Sequence, residues 1–489
     1  MATTIPANLA SFTAWELAVA TRGDITRLAD EASCVTGLVT DSRAVAPGNG
    51  FVALRGESLD GHAFLGVAIE RGAAAVVVAR GREVPPGAVA VVEVDDGVEA
   101  FGLLAQAHLR RWRRRLGSGA RVAAVTGSAG KTTTKELCGV LLSAMGPCHR
   151  TTGNLNNRVG VPAVALALRD EPYAVFELGM SVPGEIAALA SVVEPDVAAL
   201  LNVGVAHAQG FGGWRSAVAR EKGAILAALS PEGVAVVNLD DGAARAQILR
   251  ARSRCVGFGT SPEAAVRLLR REPEGATGSR VTVDRNGERF EVFLPVPGDA
   301  VALDLVAAIA VADATVGRPI PAELIVKSVR AWQPPEGRSV TALLEGDVLV
   351  VDDSYNANPG SMRSAFATLD ELRSSRRGRA IAVLGEMCEL GVLSEQEHES
   401  LGAELARRRF DLVIGCGGAM DIALRRAEAG GVAVRYAAGT ADAGAQIADE
   451  VRSGDVVLFK GSRAVGVEHA LAAVVARHPR RSSGRGGAA

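Results

Sequence analysis

The chain has 489 residues, which is too long for one hydrophobic core and favours about three domains. Its 53 lysines and arginines nearly balance its 55 aspartates and glutamates, so the formal net charge is -2. This balance gives no overall electrostatic reason to expect nucleic acid or an acidic membrane as a partner, and a small-molecule substrate is expected instead.

Two further features of the sequence predict a cytoplasmic protein without membrane insertion. Residues 1–24 lack the basic flank and the unbroken apolar core of a signal peptide, and no segment reaches the roughly 20 apolar residues that span a bilayer. The six cysteines form no Cys-x-x-Cys pair, which is typical of thiols in a reducing compartment. We also expect the chain to act as a monomer.

Short apolar runs recur along the chain and are separated by stretches with helical periodicity. This alternation predicts an α/β protein whose parallel sheets are covered by helices on both faces. The runs predicted as strands lie at 73–79, 122–125, 174–176, 197–201, 234–237, 348–351, 380–384, 411–415 and 456–459.

Shifts in composition place domain boundaries near residues 118 and 332. A run of five arginines within 110–115 precedes a Gly/Ser stretch, and a proline pair interrupts the chain at 334–335. We interpret the arginines as a solvated helix end rather than a phosphate-binding patch, because cations are favoured at a helix C-terminus. The predicted domains are 1–118, 119–332 and 333–489, with a disordered tail over 478–489.

The sequence RVAAVTGSAGKTTTKE at 121–136 predicts a strand, a glycine loop and the start of a helix. Backbone N–H groups of such a loop converge on phosphates, while Lys131 adds a positive charge and Thr132 offers a hydroxyl to Mg²⁺. The spacing fits a short Gly-x-x-Gly-Lys-[Ser/Thr] motif, since Val125 stands where the longer motif requires glycine. A chance Gly-Lys-Thr turn is the alternative interpretation.

Polar residues also follow later strands of the same segment. Glu177 comes after AVF, Asn202 comes after VAALL, and His207 follows five residues later. In open parallel sheets the carboxyl ends of the strands share one crevice, so we expect these side chains to face the phosphate loop. A carboxylate beside a triphosphate suits Mg²⁺. Imidazole is an unusual ligand for so hard an ion, and His207 alone would be interpreted as a loop histidine.

Lys222 lies on the apolar stripe of a predicted helix, between Val218 and Ile225. A lysine at such a position is costly unless its stem carries the charge out to water or the charge is used. The pattern alone favours the first explanation. The second would make Lys222 a chemically altered or paired group beside the metal.

Four stretches of the central segment resemble the ATP-binding centre of the Mur ligase family, which builds the peptide of the bacterial cell-wall precursor. They are TGSAGKTTTKE, TTGNLNNRVGVP (151–162), FELGMSVPGEI (176–186) and NVGVAHAQGFGG (202–213). The resemblance implies that Thr132, Glu177 and His207 hold Mg²⁺ and that Lys222 is carbamylated and contacts a second Mg²⁺. With Lys131 these last three would be the catalytic residues. The implied ATP-binding residues are Gly127, Ser128, Ala129, Gly130, Lys131, Thr132 and Thr133.

Residues 39–78 resemble the uridine-nucleotide-binding module of family members that add the third and later residues of the peptide. The resemblance implies that Ser42 and Arg43, with the backbone near Leu54 and Gly56, bind the UDP moiety. Without it, these sequences indicate only turns. The implied architecture is an N-terminal uridine-nucleotide-binding α/β domain, a central P-loop ATPase-like parallel-sheet domain and a C-terminal Rossmann-like domain.

The C-terminal segment resembles the branch of the family that joins D-alanyl-D-alanine (D-Ala-D-Ala) to UDP-MurNAc-tripeptide. The stretches are VVDDSYNANPGSM (350–362), AVLGEMCELG (382–391) and LFKGSRAVGVE (458–468), together with His398. The Asp-Asn-Pro-Arg signature of the diaminopimelate-adding branch is absent from the sequence. The resemblance implies that ATP activates the tripeptide carboxylate as an acyl phosphate, which the amine of D-Ala-D-Ala then attacks.

The same resemblance assigns contacts residue by residue. Arg338 and Asp353 are expected to hold ADP from the third domain, which must swing onto the second and exclude water. Some of the asparagines below are expected only to cap backbone groups. The expected substrate-binding residues are Asn154 and Asn157 on the muropeptide side, Tyr355, Asn356 and Asn358 near the D-Ala-D-Ala site, and Lys460 and Ser462.

Some positions depart from the family pattern. Ala300 and Val301 replace an expected His-Asn pair, and Ala224 replaces a glutamate. Asp304 replaces an asparagine that contacts adenine, and it is the expected ATP contact of this region. The rival functions are a related ligase with another amino-acid substrate, such as folylpolyglutamate synthase, and a nucleotide-binding protein without catalysis. Diaminopimelate and lysine both remain open as the third residue of the tripeptide.

Overall fold

The computed structural model describes residues 3–29, 34–56, 59–87, 90–376 and 378–481, so the last eight residues of the predicted disordered tail lie outside the described residues. Its main sheets follow one another in three successive parts of the chain, and helices flank each of them. Each apolar run noted above coincides with a strand. The predicted α/β class is therefore confirmed.

The N-terminal part contains a small mixed sheet and its helices. The elements are β1 (Ser11–Thr13), α1 (Ala14–Thr21), β2 (Asp24–Leu28), β3 (Cys34–Thr36), β4 (Leu38–Val39), β5 (Gly50–Val52), α2 (Leu65–Glu70), β6 (Ala75–Ala79), β7 (Ala90–Val94) and α3 (Gly97–Leu116). The main sheet has the order β2-β7-β6-β5-β4, in which β2 is antiparallel to β7 and the other pairs are parallel.

The middle part is built on a larger sheet. The elements are β8 (Arg121–Thr126), α4 (Lys131–Ser143), β9 (Cys148–Arg150), α5 (Gly160–Leu166), β10 (Tyr173–Glu177), α6 (Glu185–Val193), β11 (Val197–Leu200), α7 (Arg215–Ala227), β12 (Val234–Asn238), α8 (Gly242–Arg245), β13 (Arg254–Gly259), β14 (Val266–Pro273), β15 (Ser279–Arg285), β16 (Glu288–Leu294), α9 (Asp299–Val316) and α10 (Ala322–Arg330). The order is β16-β15-β14-β13-β12-β11-β8-β10-β9. Because β8 lies between β10 and β11, a crevice forms beyond its carboxyl end, where the glycine loop begins.

An antiparallel extension of this sheet does not follow from the apolar runs. Strands β14, β15 and β16 pair antiparallel to one another at its edge. Buried side chains alternate with more exposed ones along β15, because one face covers the core and the other faces outward. Runs of consecutive apolar residues do not detect strands of this kind.

The C-terminal part carries the third sheet. The elements are β17 (Val340–Leu344), β18 (Val348–Asp352), α11 (Pro359–Arg376), β19 (Ala380–Gly385), α12 (Ser394–Arg408), β20 (Leu412–Cys416), α13 (Met420–Ala429), β21 (Val434–Ala437), α14 (Thr440–Glu450), β22 (Val456–Lys460) and α15 (Glu468–Arg477). The order is β17-β18-β22-β19-β20-β21, and only β17 is antiparallel to its neighbour in this sheet. Across the described ranges, no helix combines the length and apolar character needed to cross a membrane.

The N-terminal and middle parts share one hydrophobic core. Helix α3 supplies Trp112, which is 1% exposed, and the core continues from Phe12 on one side to Phe176 on the other. The C-terminal part has cores of its own, and Val205 and Ala276 of the middle part pack against one of them as partly buried side chains. The first two parts therefore form one body against which the third part rests.

The predicted boundaries at residues 118 and 332 fall between the sheets. Strand β8 begins at Arg121 and strand β17 begins at Val340. As limits of independent domains they stay predictions, and the shared core shows that the first boundary does not separate two cores.

The arginines at the end of α3 bind the middle part rather than water. Arg113 donates to Asp196 Oδ2 at 3.0 Å, and Arg110 donates to Glu194 Oε1 at 3.0 Å. The interpretation of this run as a solvated helix end is therefore wrong. The last turns of α3 face carboxylates of the next part because the helix is packed across the boundary.

The start of the C-terminal tail is ordered, contrary to the prediction of disorder from residue 478. Arg480 pairs with Leu344 in a β-bridge, and the N–H group of Glu345 donates to Pro479 O at 2.8 Å. These tail residues lack large apolar side chains, but their backbone groups pair with the edge strand β17. Composition does not detect order of this kind, because backbone pairing does not depend on apolar side chains.

Candidate active site

One cavity of about 510 Å³ lies where the middle and C-terminal parts meet, beyond the carboxyl end of β8. Its walls bring together most of the residues predicted to bind nucleotide, metal and acceptor substrate. Those on its walls are Ser128, Ala129, Gly130, Lys131, Thr132, Thr133, Asn154, Asn157, Glu177, His207, Asp304, Arg338, Asp353, Tyr355, Asn356, Asn358, Lys460 and Ser462. The candidate site therefore needs both parts of the chain.

The predicted uridine-binding residues lie in the N-terminal part. Ser42 is buried in a short 3-10 helix, whereas the Arg43 side chain is 88% exposed and paired with Asp41 at 2.7 Å. Leu54 and Gly56 follow strand β5 and make backbone hydrogen bonds into the next turn. Among the described residues that line the cavity, none of these is found, so the UDP contact stays a prediction.

A left-handed glycine and an asparagine shape the phosphate loop. Gly130 has φ +80°, and a Cβ at this position would come within 2.1 Å of Asp304 Oδ1, so only glycine fits. Asn202 Oδ1 accepts from the N–H groups of Ser128 and Ala129 at 3.1 and 2.9 Å. Since these two N–H groups bind the protein, phosphate is left to the N–H groups of the first turn of α4.

Two buried lysines converge on the carbonyl oxygen of Gly127. The Nζ atoms of Lys131 and Lys222 donate to it at 2.9 and 3.1 Å. Burial lowers the pKa of both side chains, and the charge of Lys131 lowers the pKa of Lys222 further, well below 10.5. Lys222 is fully buried, so the prediction that its charge reaches water is wrong. The side chain turns inward, to the phosphate loop.

Thr132 and Glu177 form a pair of oxygen donors on the cavity wall. Thr132 Oγ1 donates to Glu177 Oε2 at 2.9 Å, and Asn156 Nδ2 donates to Glu177 Oε1 at 2.8 Å. In the part of the chain that the structure describes, no three His, Cys, Asp or Glu side chains group closely enough to hold a metal ion. A hydroxyl and a carboxylate nevertheless fit Mg²⁺ that arrives with a nucleotide, because Mg²⁺ keeps phosphate and water ligands and takes few from protein.

His207 faces the C-terminal part from the middle part. Its Nδ1–H donates to the carboxylate of Glu389, and this hydrogen bond lowers the pKa of Glu389. Both residues line the cavity. The role of His207 as a metal ligand stays a prediction, and the Glu389 contact leaves only Nε2 for it.

The C-terminal part brings a cation to the phosphate loop. Arg338 Nη2 donates to Thr132 Oγ1 at 3.1 Å, and its guanidinium carbon lies 4.1 Å from the centroid of the Tyr355 ring. Lys460 is 2% exposed, and its Nζ donates to Asp353 Oδ2 at 2.6 Å. Arg338 is therefore placed to meet phosphate, whereas the charge of Lys460 is already used by Asp353.

The predicted asparagines divide between helix caps and cavity contacts. Asn157 and Asn358 accept hydrogen bonds from N–H groups in the first turns of α5 and α11. Asn358 also donates to Ser128 O at 3.2 Å, which ties the C-terminal part to the phosphate loop. Asn154 accepts from a threonine hydroxyl at 2.7 Å, and Asn356 accepts from the next backbone N–H at 2.9 Å. Contact of these residues with substrate stays a prediction.

Sequence reasoning misses three side chains of this cavity. They are Asn156, which binds Glu177, then Glu389, which binds His207, and Arg463, whose guanidinium carbon lies 5.5 Å from the centroid of the Tyr355 ring. Each lies inside one of the stretches that carry the family resemblance. That resemblance is the signal that could have identified them.

Asp304 lies against the phosphate loop in an apolar setting. It is 9% exposed, and its Oδ1 accepts from Thr134 Oγ1 at 3.3 Å. Burial raises the pKa of the Asp304 carboxyl well above its ordinary value of 3.8. A carboxyl group that keeps its proton offers one donor and one acceptor, as an asparagine amide does, so it can stand in the place of the expected asparagine.

Replacing Asp304 by asparagine is expected to stabilise the protein increasingly as pH rises from 4 to 8. Above pH 3.8 the unfolded chain releases the carboxyl proton while the folded chain retains it, so the wild type loses stability until the raised pKa is passed. Each unit of elevation corresponds to about 1.4 kcal/mol. Denaturant unfolding over this pH range measures the difference, and Asp95→Asn, at an 87% exposed side chain, is the control. A difference that does not vary with pH would contradict the prediction.

Known proteins match nearly the whole chain. A Bacillus subtilis (strain 168) protein, UDP-N-acetylmuramoyl-tripeptide--D-alanyl-D-alanine ligase, is 32% identical over 443 residues, which cover 90% of this chain and 93% of that protein. The chain belongs to the Mur ligase family. The family models agree: Mur ligase family, catalytic domain, matches 34–109, Mur ligase middle domain matches 125–312, and Mur ligase, glutamate ligase domain, matches 338–463.

Further relatives and solved structures support this Mur ligase assignment. An Escherichia coli (strain K12) protein of the same name is 36% identical over 390 residues, covering 78% of this chain and 81% of that protein. A crystal structure of MurF from Acinetobacter baumannii has a TM-score of 0.86 at 31% identity and covers 96% of this chain and 100% of that one. MurF ligase from Thermotoga maritima in complex with ADP has a TM-score of 0.78 at 29% identity, covering 90% of this chain and 97% of that one.

Proposed function

We propose that this Mur ligase uses ATP to join D-Ala-D-Ala to UDP-MurNAc-tripeptide, which yields UDP-MurNAc-pentapeptide, ADP and phosphate. The relatives above carry the name of this activity, and one related structure holds ADP. The geometric observation that carries the proposal is the hydrogen bond from Arg338 to Thr132 across the cavity. It brings a cation of the C-terminal part onto the phosphate loop, as a site for phosphoryl transfer between bound partners requires.

The chemistry explains why ATP is needed. A carboxylate is a poor electrophile, because its charge repels nucleophiles and oxide is a poor leaving group. A carboxylate oxygen of the tripeptide bonds to the γ-phosphorus of ATP, and the bond to the bridging oxygen breaks to release ADP. The amine of D-Ala-D-Ala then attacks the acyl carbon, phosphate leaves, and the nitrogen loses a proton. Lys131 and Arg338 offset the charge on the transferring phosphoryl group.

We assign Mg²⁺ to the pair formed by Thr132 and Glu177, with His207 beside it through Nε2. The hydroxyl and carboxylate fit this ion, and the phosphates of ATP complete the ligands that so small a protein set does not provide. When bound, the ion supplies positive charge that offsets the charge of the phosphates.

We further propose that Lys222 carries a carbamate. Its amine is fully buried, and burial together with the charge of Lys131 keeps it in the neutral form that adds to CO₂. Addition forms a nitrogen–carbon bond and releases one proton, so an anion replaces a cation on the inner side of α7. That anion would offset the neighbouring charge of Lys131 at the Gly127 carbonyl.

The remaining contacts complete the proposal. Ser42, Arg43, Leu54 and Gly56 would hold the UDP moiety in the N-terminal part, and Gly127 to Thr133, Asp304 and Asp353 would surround the nucleotide. The acceptor and muropeptide would meet Asn154, Asn157, Tyr355, Asn356, Asn358, Lys460 and Ser462. The precursor is a soluble nucleotide sugar, so we place the reaction in the cytoplasm, with a monomer as the working unit.

Phosphate release from ATP tests this function. With UDP-MurNAc-tripeptide present, release is expected to be slow alone and strongly accelerated by D-Ala-D-Ala. Equal rates with and without the dipeptide, or stronger acceleration by another amino acid or by glutamate, would overturn the assignment. Parallel assays with the diaminopimelate and lysine forms of the tripeptide identify the accepted third residue.

A further inference from the structure

We propose that Glu389 is a positioning residue that fixes the imidazole ring of His207 when the C-terminal part lies on the middle part. The inference rests on the proposed function, because both residues face the cavity that holds the phosphate loop. It gives a task to a carboxylate that the phosphate loop and the oxygen pair of the candidate metal site do not need.

The contact joins two residues with the same uncommon backbone conformation. His207 has φ +62° and Glu389 has φ +61°, in the left-handed region that residues other than glycine rarely adopt. His207 Nδ1–H donates to Oε2 of Glu389. Such conformations cost free energy and persist where the surroundings over-determine them, which occurs most often at functional sites. The two residues are therefore held in the geometry that lets them meet.

Hydrogen bonds from its own part support the segment that carries Glu389. The N–H group of Met387 donates to His398 Nε2 at 3.1 Å. The N–H group of Cys388 donates to Ser462 Oγ at 2.8 Å. His398 and Ser462, both marked by the family resemblance, thus support the loop that presents this carboxylate.

The backbones of the two parts also fit closely beside the contact. The N–H group of Gln209 donates to Glu389 O at 3.2 Å. Gly391, with φ +55°, lies so near that a Cβ would come within 3.0 Å of Gln209 Cα. The two parts therefore meet in one register, and Glu389 reaches His207 in that register.

A carboxylate on Nδ1 determines what the rest of the imidazole ring can do. It sets the tautomer and the orientation of the ring, and it leaves Nε2 as the atom that accepts or ligates. Glu389 comes from the C-terminal part, so His207 obtains this orientation when that part is seated. The position of the C-terminal part is in this way transmitted to the phosphate site.

A direct test observes the ring of His207 in the full-length chain. The protein has seven histidines, so ¹⁵N-histidine labelling gives few signals, and His207→Asn identifies the relevant one. With ADP bound, the wild type is expected to show a strongly deshielded Nδ1–H signal that shifts upfield or disappears in Glu389→Gln. An unchanged signal in the variant, or no such signal for His207 in the wild type, would overturn the proposal.

Kinetics provide the second test. Glu389→Gln and His207→Asn are each expected to lower kcat by about 10- to 100-fold, the usual cost of removing the partner of a functional histidine. Because the two residues act as a unit, the double variant is expected to be no slower than the slower single variant. Losses that multiply in the double variant would overturn the proposal.

Two control variants separate this role from general loosening of the interface. Glu371→Gln breaks the ion pair with Arg271 between the same two parts, and its loss is expected to multiply with that of His207→Asn. Glu395→Gln, at an exposed position, is expected to change neither readout. The imidazole signal requires no turnover. If the wild type failed to consume UDP-MurNAc-tripeptide, the proposed function would fail while the signal would still test Glu389.

Discussion

Replacing Lys131 by methionine is expected to lower kcat/KM for ATP by about a thousandfold, the loss typical of one preorganised group that stabilises transition-state charge. Lys131 lies at the start of α4, and its Nζ is held by the carbonyl oxygen of Gly127 at the mouth of the candidate ATP site. Methionine keeps the length of the side chain but removes the charge. Phosphate release at varied ATP concentration measures the effect.

The matched control for this variant is Lys327→Met, because Lys327 is exposed on α10 and is not on the cavity wall among the described residues. It is expected to retain wild-type rates. ADP binding measured by calorimetry separates a loss of affinity from a loss of chemistry in Lys131→Met. A fall in kcat/KM of less than about tenfold would contradict a role in charge stabilisation, since that is a small fraction of the usual effect.

Replacing Lys222 by alanine is expected to lower activity by about a hundredfold or more, comparable to the loss of one charge-stabilising group. Added short carboxylates such as formate or acetate are expected to restore part of it, because they supply the anion that the carbamate would provide. Phosphate release with and without the added carboxylate is the measurement. Activity at the wild-type level in Lys222→Ala would contradict the carbamate.

Two controls protect this second result. Lys222 is fully buried, so Lys222→Met, which leaves less empty space, tests whether lost packing explains the loss in Lys222→Ala. The same carboxylates are expected to give no recovery to Lys131→Met, since that variant lacks a cation. Recovery in both variants would indicate a general salt effect.

The features that sequence reasoning predicts are those whose cause is local. The strand before the phosphate loop, the glycine that must be left-handed at Gly130 and the inward lysine at Lys222 are all encoded within one strand, loop or helix. A buried strand needs consecutive apolar residues, and a phosphate loop needs glycines next to a helix start. These constraints can be recognised without knowing which other segment lies nearby.

The features that it misses depend on how distant segments meet. His207 and Glu389 are 182 residues apart in the chain, and nothing in either segment specifies the other. Arg113 is part of a run that looks solvated until Asp196 of the next sheet is placed beside it. The tail fails for a related reason, since Arg480 pairs through its backbone with an edge strand. Side-chain composition does not encode such a pairing.

The core shared by the N-terminal and middle parts has a consequence for substrate choice. Trp112 and its neighbours join the two parts without a flexible joint, so the distance from the uridine module to the phosphate loop is set by the fold. A nucleotide sugar anchored at one end can offer its carboxylate to the loop only if its peptide has the right length. We therefore expect this shared core to act as a ruler that counts residues in the peptide, while the separate C-terminal part supplies the movement.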